Sequence, residues 1–570
     1  MDPRAPAEWS RSLDPAAVPP GTAERVRLQF ASVVASLLDG LALPDVVALR
    51  VAWAEEGGTR RKKPPRGRAE PPGLEALASW FAAASIALDH DDYLLFGHPG
   101  HSAAAVPLAW AAAHDVSLGE ALAAAAAADE VAARLGGYAL LGPHNGQLWT
   151  HLHLAAAVVA AGRLAGDDPE VVARALGLAF ANPPFALPAA FFGGSSKLLA
   201  AAVPVRQGLG ALRLARTTAL RAPAAVFDAA DGLGRHFAHA ALEGFLEGWG
   251  AVWLTDTLAV KRVPGCAYVS AVAEAAAEAA RQFERAKGRR VVAADVERLE
   301  LSVTALTVGM EDAARPHRAG ALSPVEVNFS APLTTALALL DGDLTPRSLD
   351  PARLARVEDE LRRVAGRVVV RHDLARTMRL VDGVIRPMAL LDALGDLRGE
   401  GARKAGWEML RRYPGLWRAS ADPGAAARDD APFARLADRG TFQALRHMGR
   451  LVQGALGRRR EGARYTVQNA RPRDVRFAAS AGLLATLAGE VFCAECEVPP
   501  GAPGAETDLT TVVRQKLGRA FREAGVEASA EELVGRLLGA PLDASLRDLF
   551  APAFARLLAE TTPAREGKHE

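Results

Sequence analysis

The sequence predicts a mainly α-helical protein with a smaller part in which helices and strands mix. Residues 74–255 are rich in alanine and carry repeated helix start and stop signals, which is typical of an all-α region. The pattern changes near residue 260, where one helical stretch is followed by short runs of alternating apolar and polar residues. At roughly 100 to 200 residues per domain, this 570-residue chain is long enough for two to four domains.

The helix predictions depend on local signals at their ends. Residues 21–41 carry apolar residues at helical spacing, and we expect Pro44 to end that helix. Ser117 and Glu120 form the pattern of a capping box ahead of the next alanine-rich helix. Pro169 predicts another helix start, because a proline at the first helical position removes no hydrogen bond that the helix needs.

Strand-like alternation occurs in the second half of the chain. The alternation of residues 295–306 predicts one strand, and residues 366–373 are a second strand candidate. Residues 475–498 resemble a pair of strands, because they are rich in side chains that fit a half-buried pleated surface. The stretch PPGAPG then introduces two predicted closing helices, 507–521 and 530–539.

Charge and cysteine content exclude several classes of protein. The chain has 67 Lys and Arg against 66 Asp and Glu, so no global field attracts nucleic acid or an anionic membrane. Its three cysteines, Cys266, Cys493 and Cys496, are too few for a disulfide framework and fit a reducing compartment. The N-terminus lacks the apolar core of a signal peptide, and apolar runs of about 18 residues are all interrupted. We therefore expect a soluble cytoplasmic protein that binds neither nucleic acid nor membrane.

The most site-like segment is the acidic turn, residues 88–100, with the sequence LDHDDYLLFGHPG. A buried helix or strand rarely carries four ionisable groups in a row, because burying an unpaired charge is costly. A turn can present all of them to one cavity. We interpret Asp89 and His98 as site residues, and we interpret Asp91 and Asp92 as helix caps.

The acidic turn and four further motifs, in the same order along the chain, resemble the MmgE/PrpD family. The other motifs are the helix GEALAAAAAADEVAARLGGY, the helix HLAAAVVAAGRLAG, the segment SSKLLAAAVPVRQG that contains Lys197, and KRVPGC at 261–266. The resemblance covers roughly residues 25–400 and resumes through about residue 525. Residues 400–473 look like an insertion.

This resemblance implies a fold and a class of chemistry. The fold is a large all-α helical domain built from both chain ends, with a smaller α+β lid domain. Residues 20–258 would form the helical domain, 259–500 the lid with a helical insertion at about 400–473, and 501–565 the helices that return to the helical domain. The family, which includes 2-methylcitrate dehydratase and cis-aconitate decarboxylase, also implies a homodimer without an organic cofactor that acts on a small di- or tricarboxylate.

By the same resemblance, Asp89, His98, Lys197 and Lys261 belong to the active site. Removing a proton α to a carboxylate creates an enediolate-like dianion, which needs a base near neutral pKa and fixed positive charge beside the oxygens. Asp89 and His98 suit the proton transfer. The two lysines suit the oxygens, because an ammonium is a compact point charge with three donors. Whether His98 is the base or the acid stays open at this point.

Three positions depart from the family pattern. Tyr93 stands where the family commonly has threonine, so the pocket could differ in size. Gln147 stands where cis-aconitate decarboxylase has a histidine, although His144 and His151 lie on either side of it. Val308 stands near the position of an active-site tyrosine. We expect Tyr93, His144, Gln147 and His151 to bind the substrate.

Other functions stay open beside the preferred lyase, a dehydratase or decarboxylase. An isomerase or epimerase of the same family would use the same proton removal. The three departures also fit a catalytically lapsed member kept for binding or assembly, with residues 400–473 as a partner surface or a solvated helical elaboration. Histidines at helical spacing, such as His98 with His101, suggest a metal-dependent enzyme, but no metal-binding motif accompanies them and we expect no metal.

Overall fold

The computed structural model of the protein describes residues 2–56, 73–142, 148–223, 225–318, 320–395 and 465–559. Most of this part of the chain is helical and its strands form two small sheets, so the prediction of a mainly α protein is confirmed. The predictions for His144, for Gln147 and for the 400–473 segment up to residue 464 lie outside the described residues.

The first half of the chain is built of helices, and α2 is one of its long buried helices. Its residues Phe30, Val34 and Leu37 are fully buried. The helices up to residue 237 are α1 (Arg4–Ser12), α2 (Pro20–Gly40), α3 (Pro44–Glu56), α4 (Leu74–Ile86), α5 (Gly100–Ala103), α6 (Ala105–Ala113), α7 (Leu118–Tyr138), α8 (Thr150–Ala165), α9 (Pro169–Ala179), α10 (Pro188–Phe192), α11 (Leu199–Thr217) and α12 (Leu233–Phe237).

Two of the predicted helix ends are confirmed and one is corrected. Ser117 caps α7, since its hydroxyl accepts a hydrogen bond from the Glu120 N–H at 3.2 Å. Helix α9 begins at Pro169, as its sequence predicts. The prediction for Pro44 is wrong: α2 already ends at Gly40, and Pro44 opens α3 instead, because a proline is tolerated in the first turn of a helix.

The second half of the chain adds helices, strands and a four-stranded sheet. Its helices are α13 (Ser270–Lys287), α14 (Ala305–Ala314), α15 (Pro324–Asn328), α16 (Ala331–Asp341), α17 (Pro351–Ala365), α18 (Leu374–Ile385), α19 (Leu390–Gly395), α20 (Leu509–Ala524), α21 (Ala530–Gly539), α22 (Leu546–Leu549) and α23 (Ala551–Ala559). Its strands are β3 (Val296–Val303), β4 (Val368–His372), β5 (Ala481–Leu487) and β6 (Glu490–Cys496). Two short strands, β1 (Asp92–Tyr93) and β2 (Ala259–Val260), lie earlier in the chain.

The larger sheet has the strand order β4-β3-β5-β6, and each strand lies within a predicted strand segment. The prediction of a strand over 295–306 is too long, since β3 ends at Val303 and α14 begins at Ala305. Strands β3 and β4 are parallel, whereas β5 is antiparallel to both β3 and β6. Ala488 and Gly489 join β5 to β6 with φ angles of 48° and 81°, which is the left-handed pair that a two-residue hairpin prefers. Helix α13 packs on one face of the sheet.

The two ends of the chain pack together. Helix α20 lies along α2, and the Leu118 N–H at the start of α7 donates to the Ala544 carbonyl at 2.7 Å. These contacts agree with a helical body assembled from both ends, while the division into a helical domain and a lid stays a prediction. Among the described residues no single helix has the length and apolar character to cross a membrane, although the bent pair Pro20–Gly40 and Pro44–Trp53 meets that test together by length and composition.

Candidate active site

The acidic turn connects α4 to α5 and is buried despite its charge. Asp89, Asp91 and Asp92 are each at most 1% exposed. Asp89 has a φ of 51°, a left-handed conformation that aspartate tolerates better than most residues. Gly97 has a φ of 143°, and a Cβ there would meet Leu152 Cδ1 at 2.5 Å, so the turn needs a glycine. The turn therefore lies tightly against α8.

Lys197 reaches the acidic turn from the short segment before α11. Its Nζ lies 2.7 Å from Asp89 Oδ2 and donates to the Ile86 carbonyl at 2.7 Å. The Asn328 amide also donates to Asp89 Oδ2, at 3.4 Å. Both the Lys197 and the Asp89 side chains are completely shielded from solvent. This lysine is therefore part of a buried ion pair and not a surface residue.

Lys261 reaches the same turn from the end of β2. Strand β2 pairs with β1 in an antiparallel register, and this pairing brings Lys261 beside Asp91. Its Nζ donates to the Asp89 carbonyl at 3.1 Å and forms an ion pair with Asp91 Oδ1. The other oxygen of Asp91, Oδ2, lies 2.7 Å from His98 Nδ1. Asp89, His98, Lys197 and Lys261 thus lie in one contact network.

Asp91 is the centre of this network, and the prediction that Asp91 and Asp92 are helix caps is wrong. Helix α5 is preceded by Pro99, and no side chain caps it. Asp91 contacts Lys261 through one oxygen and His98 through the other. Asp92 turns the opposite way and accepts a hydrogen bond from Gln29 Nε2 at 2.8 Å. The cap preference of aspartate is a local signal, and tertiary ion pairing overrides it here.

Burial and charge shift the pKa values of these groups in opposite directions. Burial opposes ionisation of Asp91, but Lys261 and His98 hold its pKa well below the usual range. Burial lowers the pKa of Lys197 although Asp89 counteracts it. For Lys261 burial acts downward, yet Asp91 and Asp89 together raise its pKa. Burial lowers the pKa of His98, so at neutral pH a neutral imidazole faces an ionised Asp91.

The tautomer of His98 follows from these charges. An ionised carboxylate can only accept a hydrogen bond, so His98 Nδ1 carries the proton and donates it to Asp91 Oδ2. In a neutral imidazole the lone pair is then on Nε2. The His98 side chain is 10% exposed, whereas the side chains of the two lysines are fully shielded. Of the four predicted residues, His98 has the most exposed side chain.

The structure places two of the predicted substrate-binding residues. The Tyr93 ring lies 5.5 Å from the His98 ring and 6.0 Å from Lys261 Nζ, so it borders the network. The His151 ring packs edge-on against Phe237 at 4.8 Å, within the buried part of α8. Val308 lies in α14, five positions beyond the end of β3, and is buried.

His101 and His153 lie next to this site, although the sequence did not assign them to it. His101 Nε2 lies 3.0 Å from Asp91 Oδ2, and its Nδ1 lies 2.8 Å from Ser85 Oγ. His153 Nδ1 lies 3.0 Å from Ser102 Oγ, and its ring lies 5.7 Å from the His101 ring. A signal for His101 is present in the sequence, because it follows His98 by three residues in a turn that enters a helix.

Asp91, His98 and His101 also form a group that could hold a metal ion, since one ligand atom of each lies within 4.8 Å of the others. Two imidazoles and a carboxylate are a donor set that several transition metals accept. However, Lys261 contacts Asp91 and Lys197 contacts the neighbouring Asp89. A divalent ion would therefore add its charge to two buried ammonium groups. The surroundings of this cluster therefore disfavour a divalent ion.

The N-terminal part of the chain is similar to a known protein family. Residues 4–243 match the family model of the MmgE/PrpD N-terminal domain, and this range contains the acidic turn and Lys197. No curated protein matches the chain. The family suggests a dehydratase- or lyase-type role. The match supports membership of the chain in the MmgE/PrpD family through its N-terminal domain.

Proposed function

We propose that the protein is a cofactor-independent lyase, a dehydratase or decarboxylase, that acts by α-proton chemistry on a small di- or tricarboxylate. The observation that carries this proposal is the network in which Asp91 joins Lys261 to His98, with the Lys197 and Asp89 pair beside it. Family membership supports a lyase-type role, and the network adds residues suited to each part of that chemistry.

In this proposal His98 is the general base. Its Nδ1 proton is held by Asp91, so Nε2 carries the lone pair that takes the α-proton. The lowered pKa keeps the imidazole neutral at physiological pH, which a base requires. Asp91 then stabilises the imidazolium that forms. We therefore assign His98 the role of the base in the first step.

Lys197 and Lys261 supply the positive charge that stabilises the enediolate. Both ammonium groups are shielded from water. A charge interacts more strongly in such a dry site than it does in bulk solvent. Each is fixed by a backbone carbonyl as well as by a carboxylate, so little reorganisation is needed when the substrate oxygens become more negative. In dehydration, the His98 imidazolium returns its proton to the leaving hydroxide and water forms.

The test is exchange of the α-proton with deuterium. The full-length protein is incubated in D2O with a panel of small carboxylic acids, and mass spectrometry and NMR follow deuterium incorporation and loss of water or CO2. We expect incorporation followed by elimination with at least one di- or tricarboxylate. His98→Ala and Lys261→Ala should abolish it, whereas His114→Ala, at an exposed histidine after α6, should not.

The same assay, together with calorimetry of carboxylate binding, separates the competing functions. Incorporation with inverted configuration and an intact carbon skeleton would indicate an epimerase. Carboxylate binding in calorimetry without exchange in any acid would indicate a catalytically lapsed binding protein and would contradict the proposal. Equal exchange by wild type and His98→Ala would remove His98 from the role of base.

A further inference from the structure

Helix α20 contacts two of the segments that form the candidate site, the acidic turn and the segment of Lys261. Lys516, in the middle of α20, is 1% exposed and lies beside α2. Its Nζ donates to Ser32 Oγ at 2.9 Å, to Ser36 Oγ at 3.0 Å and to the His90 carbonyl at 2.5 Å. The three donors of the ammonium thus each contact an oxygen, and one of these oxygens belongs to the acidic turn.

Arg519 follows Lys516 by one helical turn and reaches the second segment. Its Nη2 donates to the Arg262 carbonyl at 3.0 Å and lies 3.1 Å from His90 Nε2. Arg262 follows Lys261 directly, and His90 lies between Asp89 and Asp91. One guanidinium therefore contacts both the acidic turn and the strand end that carries Lys261.

The imidazole of His90 takes part in the same arrangement. Its Nδ1 lies 2.6 Å from Asp39 Oδ2, at the end of α2. Burial, followed by the charges of Lys516 and Arg519, keeps the pKa of His90 well below its ordinary value, so the ring is neutral. Its Nε2 lies 3.1 Å from Arg519 Nη2 and 3.1 Å from the Arg262 carbonyl oxygen. His90 is thereby fixed from two sides.

The loop before α20 approaches the site as well. The Val260 N–H donates to the Gly501 carbonyl at 3.0 Å. Gly501 has a φ of 81°, and a Cβ there would lie 2.1 Å from the Val260 carbonyl oxygen, so only glycine permits this approach. The C-terminal segment therefore contacts β2 through the loop and through Arg519.

We infer that α20 is a clamp on the active site, in which Lys516 and Arg519 are positioning residues that fix the acidic turn against the segment of Lys261. The inference rests on the proposed function for its catalytic consequence. Burying an ammonium is costly, and an apolar side chain would pack against α2 without that cost. The hydrogen bonds to the His90 and Arg262 carbonyls are what an apolar residue could not supply.

The variants are Lys516→Met, which keeps the length of the side chain without its donors, and Arg519→Met. Arg519→Lys keeps the charge with a shorter, single donor group. Arg522→Met, at an exposed position in the last turn of α20, is the matched control. Circular dichroism and cooperative thermal unfolding establish that each variant is folded. If Lys516→Met does not fold, the two Arg519 variants, at a half-buried residue, carry the test.

Two readouts are measured in the full-length protein. The first is backbone hydrogen–deuterium exchange of peptides that cover 88–93 and 259–265, where the Lys261 N–H donates to the Asp91 carbonyl at 3.1 Å. We expect Lys516→Met and Arg519→Met to exchange about tenfold faster in both peptides, while peptides from α7 stay unchanged. The second is α-proton exchange, where we expect kcat to fall about 10- to 100-fold with little change in KM. Arg519→Lys should recover part of that loss.

The outcomes distinguish the clamp from the proposed function. Unchanged exchange in both peptides together with a kcat within about twofold of wild type would overturn the clamp. If the wild type exchanges the α-proton of no acid, the proposed function fails, and only backbone hydrogen–deuterium exchange of the two peptides tests the clamp. Faster backbone exchange in Lys516→Met then supports the clamp, and unchanged backbone exchange overturns it. An equal effect of Arg522→Met would also overturn it, because the loss would then not depend on these contacts.

Discussion

The acidic turn and the outer face of the four-stranded sheet both carry pairs of acidic and basic side chains, but in different surroundings. In the turn, Lys197 and Asp89 are 2.7 Å apart and both side chains are 0% exposed. On the sheet, Arg371 and Glu300 are 3.3 Å apart with side chains 30% and 33% exposed. The two regions use the same chemistry of opposite charges, and only the turn removes it from water.

This difference indicates which charges have a function beyond solubility. Exposed pairs are screened by water and salt and contribute about 0–1 kcal/mol each. Buried pairs cost desolvation energy, so replacing both partners with apolar residues is often neutral or stabilising. A protein that retains two buried lysines beside two buried aspartates therefore does not need them for stability alone. The pairs are suited to a task that requires charge in a dry site.

The largest effect is expected from Asp91→Asn. An amide cannot serve both Lys261 and the His98 N–H, so the imidazole can move its proton to Nε2 and lose its basicity. We expect α-proton exchange to fall by roughly 10³-fold or more, within the range seen when an orienting carboxylate is removed. Leaving Lys261 without its partner should also lower the free energy of unfolding by about 3–5 kcal/mol.

Asp92→Asn is the matched control for that variant. It is the same substitution one residue along, at a side chain that is equally buried. Burial raises the pKa of Asp92 to about 6, and an asparagine oxygen can still accept the hydrogen bond from Gln29. We expect less than about a tenfold change in exchange rate, because Asp92 contacts neither His98 nor Lys261 in this network. A loss equal to that of Asp91→Asn would show that the turn needs charge in general.

The second prediction disturbs the turn without removing a charge. Gly100 lies in α5, and a Cβ there would meet Asp92 Oδ1 at 2.2 Å and Oδ2 at 2.3 Å. Gly100→Ala must therefore displace the Asp92 side chain, at a cost of about 1–3 kcal/mol in unfolding free energy and about 100-fold in exchange rate. Gly535→Ala in α21, where an added Cβ would meet no atom of another element or side chain within 4 Å, should leave both unchanged or raise stability slightly.

The third prediction concerns pH. Because burial lowers the pKa of His98, the base is neutral above that value, and the exchange rate should fall as pH drops through a midpoint below 6.5. Below the midpoint the rate should fall about tenfold per pH unit. Burial also lowers the pKa of Lys197, so its positive charge should be lost as pH rises through a midpoint below 10.5. The exchange rate should then decline at alkaline pH. An acid midpoint above 7 would contradict the role of His98 as the buried base.

The sequence predicts the parts of the molecule whose signals are local. Alternation locates β3, side-chain types locate the pair β5 and β6, and the cap at Ser117 locates the start of α7. The order of family motifs selects Asp89, His98, Lys197 and Lys261, which the fold brings into one network although no local pattern shows that they meet. The choice of these residues as catalytic stays a prediction.

The roles of Asp91, Lys516 and Arg519 could not be predicted in this way. Asp91 and Lys261 are 170 residues apart in the chain, and Lys516 and His90 are 426 residues apart. Their contacts depend on how β1, β2 and α20 meet, and each residue taken alone is typical of a cap or of a solvated helix face. A sequence shows which residues are charged but not which of them are buried. Burial is what separates these residues from ordinary polar ones.

The smallest effect is expected on the sheet. Glu300 lies between Arg298 and Arg371, at 3.0 Å and 3.3 Å, in an ionic group that solvent reaches. Glu300→Gln should change the free energy of unfolding by about 0–1 kcal/mol, less at high salt, because the interaction is screened. The exchange rate should equal that of wild type. Denaturant unfolding at two salt concentrations measures the difference. If Glu300→Gln cost as much stability as Asp91→Asn, burial would not be what distinguishes the two regions, and the buried pairs would not differ from ordinary surface pairs.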